Sequence, residues 1–341
     1  MKKNGFNNCT SDYCIYLKTI NDLKLFVILY VDDLVVLSKS GQIIEQFIQS
    51  LKEKYEIVIM EKFDHFLGIN IDYDEQNHCI KLKQTKFINE ILIKFGMSEC
   101  KKVITPMDPN TKLIKQIEQK ENEFKNIYQQ IIGSLHYLVT CTRPDLAIVT
   151  CVLSQFSSNP SLEHYKSAKH VLRYLIGTKN YGIIIKNEKS SDSFNLNCYV
   201  DADWGSNFED KRSTTGYLFY LNDDLISWST RKQQTVALSS TEAEYMAESE
   251  AVKEVIWLKT FINELLFEIK IPIQVNCDNQ AAIKLAKNPI YHARTKHIDI
   301  RHHFIREKVN DGLINLNYIQ TSENIADIMT KPLSGPKFND F

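Results

Sequence analysis

The chain has 341 residues, 43% of them hydrophobic, and a formal net charge of −1, enough apolar material for two or three packed domains, which excludes a bulk disordered chain. No apolar run reaches the roughly 18 to 20 residues that a bilayer requires, and the opening MKKNGFNNCTSDYC lacks the apolar core of a signal peptide. A soluble cytoplasmic protein with no membrane contact is therefore expected.

Taken along the chain, LFVILYVDDLVVL (25–37) reads as two short strands, rich in Val, Ile, Leu and Tyr, with Asp32 and Asp33 at the hairpin tip. Carboxylates in so apolar a run would need a positive partner if they were buried. A helix follows, with Ile44, Phe47, Ile48 and Leu51 at helical spacing, then strands around FLGINIDYD and HCIKLKQ and a helix ending near Gly96. Residues 101–125 hold two prolines, many charges and little periodicity, which predicts a linker. In SAKHVLRYLIGT, Ala168, Val171, Leu172 and Leu175 form an apolar helical stripe that Gly177 closes.

From Phe194 the pattern changes. FNLNCYVDADW, TTGYLFYL, LISWST and VALSS read as strands, and a long helix, TEAEYMAESEAVKEVIWLKTFINELL, follows. Strand IQVNCD, helix NQAAIKLAK, a basic helix around HARTKHIDIRHHFIREK, strand INLNYI and a short helix ending at Pro332 complete the chain. Early strands, then a helix, then strand–helix repeats predict an α+β chain with one mixed sheet carrying helices on its faces.

Charge is unevenly spread: Lys+Arg minus Asp+Glu gives −2 over residues 1–100, +6 over 101–190 and −5 over 191–341. That order suits a polyanion held by the middle while acidic clusters on either side carry metal ions. The eight cysteines form no CxxC pair and no zinc-spaced set, so reduced thiols are expected. His292, His297 and His302 fall five apart, not at the four-residue spacing of a helical zinc pair, so that reading is rejected.

Several acids fall where elements end. In FNLNCYVD, Phe194, Leu196, Cys198 and Val200 share one face, and Asp201 ends the polar one. Asp278 likewise ends IQVNCD. At the start of the long helix, Ser239 and Glu242 have capping-box spacing, which gives Glu242 a structural role. Two positions on a helix are about 200° apart, so Glu244, not Glu242, is left to face the sheet. Carboxylates so placed suit Mg²⁺, a hard cation that takes oxygen ligands.

GF, SDYCIY, YVDDLVVLSKS, FLGINI and TKFINEILIKFGM, in that order, resemble the later part of a copia-type retrotransposon reverse transcriptase palm and thumb. IIGSLHYLVTCTRPDLAIVTCVLSQF and HYKSAKHVLRYLIGT resemble the connection region of the same Pol polyproteins. YVDADWGS, RSTTGYLF, ALSSTEAEYMA, CDNQAAIKLAKNP, RTKHIDIRHHFIRE and ENIADIMTKPL resemble their ribonuclease H domain.

The resemblance implies a partial palm and thumb over 1–100, a linker and helical connection over 101–190, a ribonuclease H-like domain with a mixed five-stranded sheet over 191–333, and a tail over 334–341. It implies that Asp201, Glu244, Asp278 and Asp327 are catalytic and hold two Mg²⁺ ions, with Mn²⁺ as a substitute. Asp32 and Asp33 match the paired polymerase metal ligands, with Tyr30 and Val31 beneath the primer end. Nothing before Asp32 matches the family's third palm aspartate, so no DNA synthesis by this chain alone is expected. The TSEN loop stands where retroviral relatives carry a histidine.

Ser229, Thr230, Gln233, Ser240 and Asn279 are candidates for contacting the 2′-hydroxyls of the RNA strand. The implied partners are an RNA–DNA hybrid, template–primer and the remainder of the Pol polyprotein, in a virus-like particle as in the family. Two other readings fit the same motifs: a remnant that binds nucleic acid without cutting, and part of an active reverse transcriptase completed in trans.

Overall fold

The structure is a computed structural model that describes residues 5–60, 62–116, 123–186, 193–287 and 296–339. Contacts divide the chain into two compact units, Met1–Phe63 with Ser191–Phe194 and Lys253–Lys270, and Asp64–Ser190 with Asn195–Val252 and Ile271–Phe341.

The first unit contains an antiparallel meander of β1 (Asn7–Asn8), β2 (Ile15–Ile20), β3 (Leu23–Tyr30) and β4 (Asp33–Ser38), in that spatial order. Two-residue turns make the register tight. Asn21 and Asp22 both take positive φ between β2 and β3, the conformation whose twist matches that of the flanking strands and which Asn and Asp tolerate. Alternate residues Leu25 and Val27 turn inward and pack with Phe6 and with Ile43 and Phe47 of α1 (Gly41–Lys52).

In the second unit, β5 (His65–Phe66), β6 (Ile69–Asp74) and β7 (Cys79–Lys83) precede α2 (Thr85–Lys94). Gly96 then takes a positive φ of 65° just past the helix end, as a left-handed C-terminal cap requires. Helices α3 (Lys125–Cys141), α4 (Ala147–Ser154) and α5 (Leu162–Gly177) bury Leu135, Leu138, Leu153, Val171 and Leu172 together with Ile88 and Leu92 of α2. Strand β8 (Gly182–Lys186) returns to pair with β7, closing the order β5-β6-β7-β8.

A fully buried guanidinium sits among these helices. Arg143 donates from Nε and Nη2 to the two oxygens of Asp145 at 2.9 and 2.6 Å, and from Nη1 to the Thr178 carbonyl at 3.1 Å. Tyr174 donates to the same carboxylate at 2.8 Å. The charge is therefore paired and hydrogen-bonded, the condition under which an ion is tolerated in a core.

After the two-residue β9 (Ser193–Phe194), the chain continues into a sheet-rich segment. It runs β10 (Leu196–Asp203), β11 (Thr214–Leu221), β12 (Asp224–Lys232), α6 (Ser240–Glu264), β13 (Glu268–Ile269), β14 (Ile273–Cys277), α7 (Gln280–Lys287), α8 (Lys296–Asn310), β15 (Ile314–Tyr318), α9 (Asp327–Thr330) and α10 (Gly335–Asn339). The five-stranded sheet has the order β12-β11-β10-β14-β15. Its first three strands are antiparallel, while β14 and β15 run parallel to β10. This is the mixed sheet expected from the sequence. In the first unit, β9 and β13 form a short parallel pair.

Two local expectations are corrected. VALSS forms no strand; residues 233–239 are the loop into α6, because Ser239 is spent on capping that helix. Residues 335–339, expected to be tail, form a helical turn that buries Phe338 with Tyr128, Leu172 and Tyr174 in one apolar cluster. The side chains of His292, His297 and His302 lie outside the described residues.

Candidate metal centre

Asp201 sits near the end of β10, the middle strand of the sheet. Its alternation places Leu196, Cys198 and Val200 in the core and turns Asp201 to the opposite side, opposite Gly216 of β11. Asp278 follows the last residue of β14, the parallel neighbour of β10. Glu244 belongs to the second turn of α6, whose start is fixed as expected: the Glu242 amide donates to Ser239 Oγ at 3.2 Å, and the Glu242 carboxylate reaches back to the Leu238 amide at 2.8 Å. With Glu242 so occupied, Glu244 turns inward. Asp201, Glu244 and Asp278 each offer an oxygen within 4.8 Å of the others.

The electrostatics are those of crowded carboxylates with little access to water. Burial, then the charges of Asp201, Asp278 and Glu248, pushes the Glu244 carboxyl up to about 10. Asp201 is pushed up to about 6 by burial, with Asp327 and Asp278 acting the same way and Lys331 and Thr330 opposing. Glu244 Oε2 is buried and has no hydrogen-bond partner. Buried oxygens that repel one another and lack donors are costly unless something positive joins them. The donor set is all carboxylate oxygen, which suits a hard divalent ion.

Asp327, the fourth acid expected here, is brought to the same end of the sheet but does not stand open. It begins α9 and is fully buried; its Oδ1 lies 2.7 Å from Lys331 Nζ and its Oδ2 lies 2.6 Å from Lys337 Nζ. Lys331 Nζ also lies 3.7 Å from Asp201 Oδ2, and Thr330 Oγ1 donates to that same oxygen. Burial pulls the Lys331 ammonium down, but Asp201, Asp327 and Asp203 outweigh it and raise its pKa.

A glycine makes this approach possible. A Cβ on Gly216 would lie 2.6 Å from Met329 Cβ and 2.7 Å from Thr330 Cγ2, so α9 rests on β11 only because that residue has no side chain.

Lys331, Lys337 and Glu248 were missed in the sequence. Glu248 is one turn beyond Glu244 and fully buried; burial pushes it up to about 7, while the Cys277 thiol, donating to its Oε1 at 3.1 Å, holds it down. The four-residue spacings 244–248 and 327–331 were visible signals.

The residues expected to contact substrate are dispersed. Gln233 is buried, and its amide donates to Thr215 Oγ1 at 3.0 Å and to the Ala243 carbonyl at 2.9 Å. Thr230 donates to the Met329 carbonyl at 2.7 Å, which helps to hold α9. Asn279 Oδ1 accepts from the Ala281 and Ala282 amides at 3.0 Å each, the N-cap of α7. Ser240 is exposed at the start of α6, and Ser229 lines a cleft between β12, α3 and α4.

In the first unit, Tyr30, Val31, Asp32 and Asp33 are all exposed. Val31 and Asp32 form the turn, and Asp33 begins β4 opposite Tyr30. The aspartates are therefore solvated, and the positive partner expected for a buried pair is not called for. Val31 has φ 52°, uncommon for a β-branched residue and the kind of backbone outlier that collects at functional turns. Among the described residues, no group of three or more potential metal ligands includes Asp32 or Asp33.

Residues 1–109 match the family described as reverse transcriptase (RNA-dependent DNA polymerase). Over 99% of its length the chain is 39% identical to the retrovirus-related Pol polyprotein from transposon TNT 1-94 of Nicotiana tabacum. Over 75% of its length it is 31% identical to a transposon Ty5-1 protein of Saccharomyces cerevisiae, of which it covers 82%. Of the plant Pol polyproteins it matches, it spans 22% to 26%. Among solved structures, LC11-RNase H1 in complex with an RNA/DNA hybrid aligns over 40% of this chain and 94% of its own, with 13% identity and a TM-score of 0.31.

Proposed function

Because this chain belongs to the Pol polyproteins of copia-type retrotransposons, we propose that its carboxylate centre is a ribonuclease H site that hydrolyses the RNA strand of RNA–DNA hybrids. The observation that carries the proposal is the convergence of Asp201, Glu244 and Asp278, from two strand ends and one helix, to within 4.8 Å. Each acid alone has an ordinary structural role; gathered in family order, with Asp201 and Glu244 buried and Asp278 half-buried, they support a shared one. The match of residues 1–109 to the reverse transcriptase family and the Pol relatives support a nucleic-acid-processing enzyme; the hybrid substrate and the metal are the further part of the proposal.

Asp201, Glu244 and Asp278 would hold a divalent cation, Mg²⁺ or Mn²⁺. The chemistry such an ion supplies is neutralisation of the scissile phosphate and activation of water for in-line attack. The protein's own part is positional. Asp201 is held by Thr330, Asp278 by the end of β14, and Glu244 by the capped start of α6, so the ligands need not reorganise when an ion arrives. Ionising Glu244 must accompany binding, because the free protein holds it protonated.

Asp32 and Asp33 are proposed as metal ligands of the polymerase centre in the longer Pol polyprotein. Their exposed turn presents both carboxylates, and an opposing carboxylate would be needed to complete a two-metal site.

A labelled RNA–DNA hybrid incubated with Mg²⁺ tests the nuclease reading. Cleavage of the RNA strand by the wild type, lost in Asp278→Asn, is the expected result. Hybrid binding without cleavage by the wild type would establish the non-cutting remnant instead.

A further inference from the structure

Asp327 and the other three acids differ in what faces them. Both Asp327 oxygens meet ammonium groups, Lys331 at 2.7 Å and Lys337 at 2.6 Å, and Lys331 also stands 3.7 Å from an oxygen of Asp201. Among the described residues no ion pair reaches Glu244 or Asp278, and Glu244 keeps a buried oxygen without a donor. The centre is thus divided into an open trio and a fourth carboxylate already neutralised, with Lys331 lying across the division.

Lys331 is attached four residues after Asp327, so it faces the carboxylate at any salt concentration without being recruited from solution. A divalent ion bridging Asp201 and Asp327 would have to take oxygens that Lys331 now contacts. Displaced, the ammonium stays within a side chain's length and repels the newcomer, an interaction that is strong where water is scarce. Within the trio that ammonium approaches Asp201 alone, at 3.7 Å, and among the described residues none pairs with Glu244 or Asp278.

We propose that Lys331 is a built-in cation standing in the second metal position, so that the centre binds one divalent ion in the trio and admits a second, between Asp201 and Asp327, only when Lys331 withdraws. This rests on the trio being the metal site proposed above. Lys331 is accordingly a positioning residue that sets metal stoichiometry, and Lys337, 2.6 Å from Asp327 Oδ2, keeps Asp327 oriented when Lys331 moves.

Mn²⁺ titration of the full chain, with free Mn²⁺ read by electron paramagnetic resonance, tests this without any turnover. With Asp32→Asn and Asp33→Asn in every protein compared, so that the hairpin carboxylates are not counted, the wild-type centre should take up one Mn²⁺. Lys331→Met should take up two, the second bound about tenfold or more tighter than any second ion in the wild type, and Lys331→Arg should return to one. Lys331→Gln, which keeps a polar donor of similar length, should match Lys331→Met and serves if the methionine variant fails to fold. Two ions of comparable affinity in the wild type, or one ion in folded Lys331→Met or Lys331→Gln, would overturn the proposal. A wild type that binds no Mn²⁺ would overturn the trio reading and this inference with it. Loss of the single ion in Asp278→Asn would show that the trio reading stands whichever way the lysine variants fall.

Discussion

Replacing Glu244 by glutamine is expected to stabilise the metal-free protein at neutral pH, whereas disturbing most buried polar groups destabilises. Burial, reinforced by Asp201, Asp278 and Glu248, raises the folded-state value from 4.5 to about 10. The folded chain therefore keeps a proton that the unfolded chain releases above pH 4.5. The resulting stabilisation is complete below about pH 4.5 and is lost progressively as pH rises, until both states are ionised above about pH 10. Each pH unit in that window costs about 1.4 kcal/mol. At pH 7 the accumulated loss is about 3 kcal/mol.

Glutamine has the shape of the protonated acid and does not titrate, so it avoids this loss. Its amide would inherit the position of Glu244 Oε2, which lacks a partner, at a cost of about 1 kcal/mol. The net gain at pH 7 is then about 2 kcal/mol, with a difference that grows with pH. Urea unfolding of both proteins in EDTA from pH 5 to pH 8 measures it, and adding Mn²⁺ should reverse the order by stabilising only the wild type. A difference independent of pH, or a variant that loses ground as pH rises in EDTA, would refute the argument.

Other changes have equally definite outcomes. Gly216→Ala should push α9 off β11, costing about 1–3 kcal/mol and weakening Mn²⁺ binding; an unchanged melting temperature and affinity would contradict the close approach. Arg143→Met should destabilise by about 3–5 kcal/mol, because Asp145 would be left without its buried partner; thermal melting checks it. In the native protein a thiol reagent at pH 8 should modify exposed Cys14 and spare Cys277, whose thiol burial pushes up; peptide mapping after labelling decides it.

The range of each signal decides how legible it was in the sequence. Strand alternation from Leu196 to Asp201 and the Ser239–Glu242 spacing are local, and both placed their acids correctly. The rotation between Glu242 and Glu244 is equally local and identified the inward one. Of the two lysines on Asp327, Lys331 had a legible four-residue spacing, whereas Lys337 reaches Asp327 through a long flexible side chain that leaves no periodic trace. VALSS read as a strand because its aliphatic residues favour one, yet the cap at Ser239 takes precedence. Gln233 read as a surface contact because its burial depends on Thr215 and on α6, which local pattern cannot bring together. Asp32 and Asp33 looked costly only while the hairpin tip was imagined inside a core.

Thr330 bonds to Asp201 across 129 positions of chain, and Lys331 joins it from the next residue. A ribosome that has emitted every strand of the sheet but not yet this last turn exposes a carboxylate pit with neither its clasp nor its counter-charge. The sheet alone therefore does not complete the pit: its charge balance is set only when residues 330 and 331 dock against the middle strand.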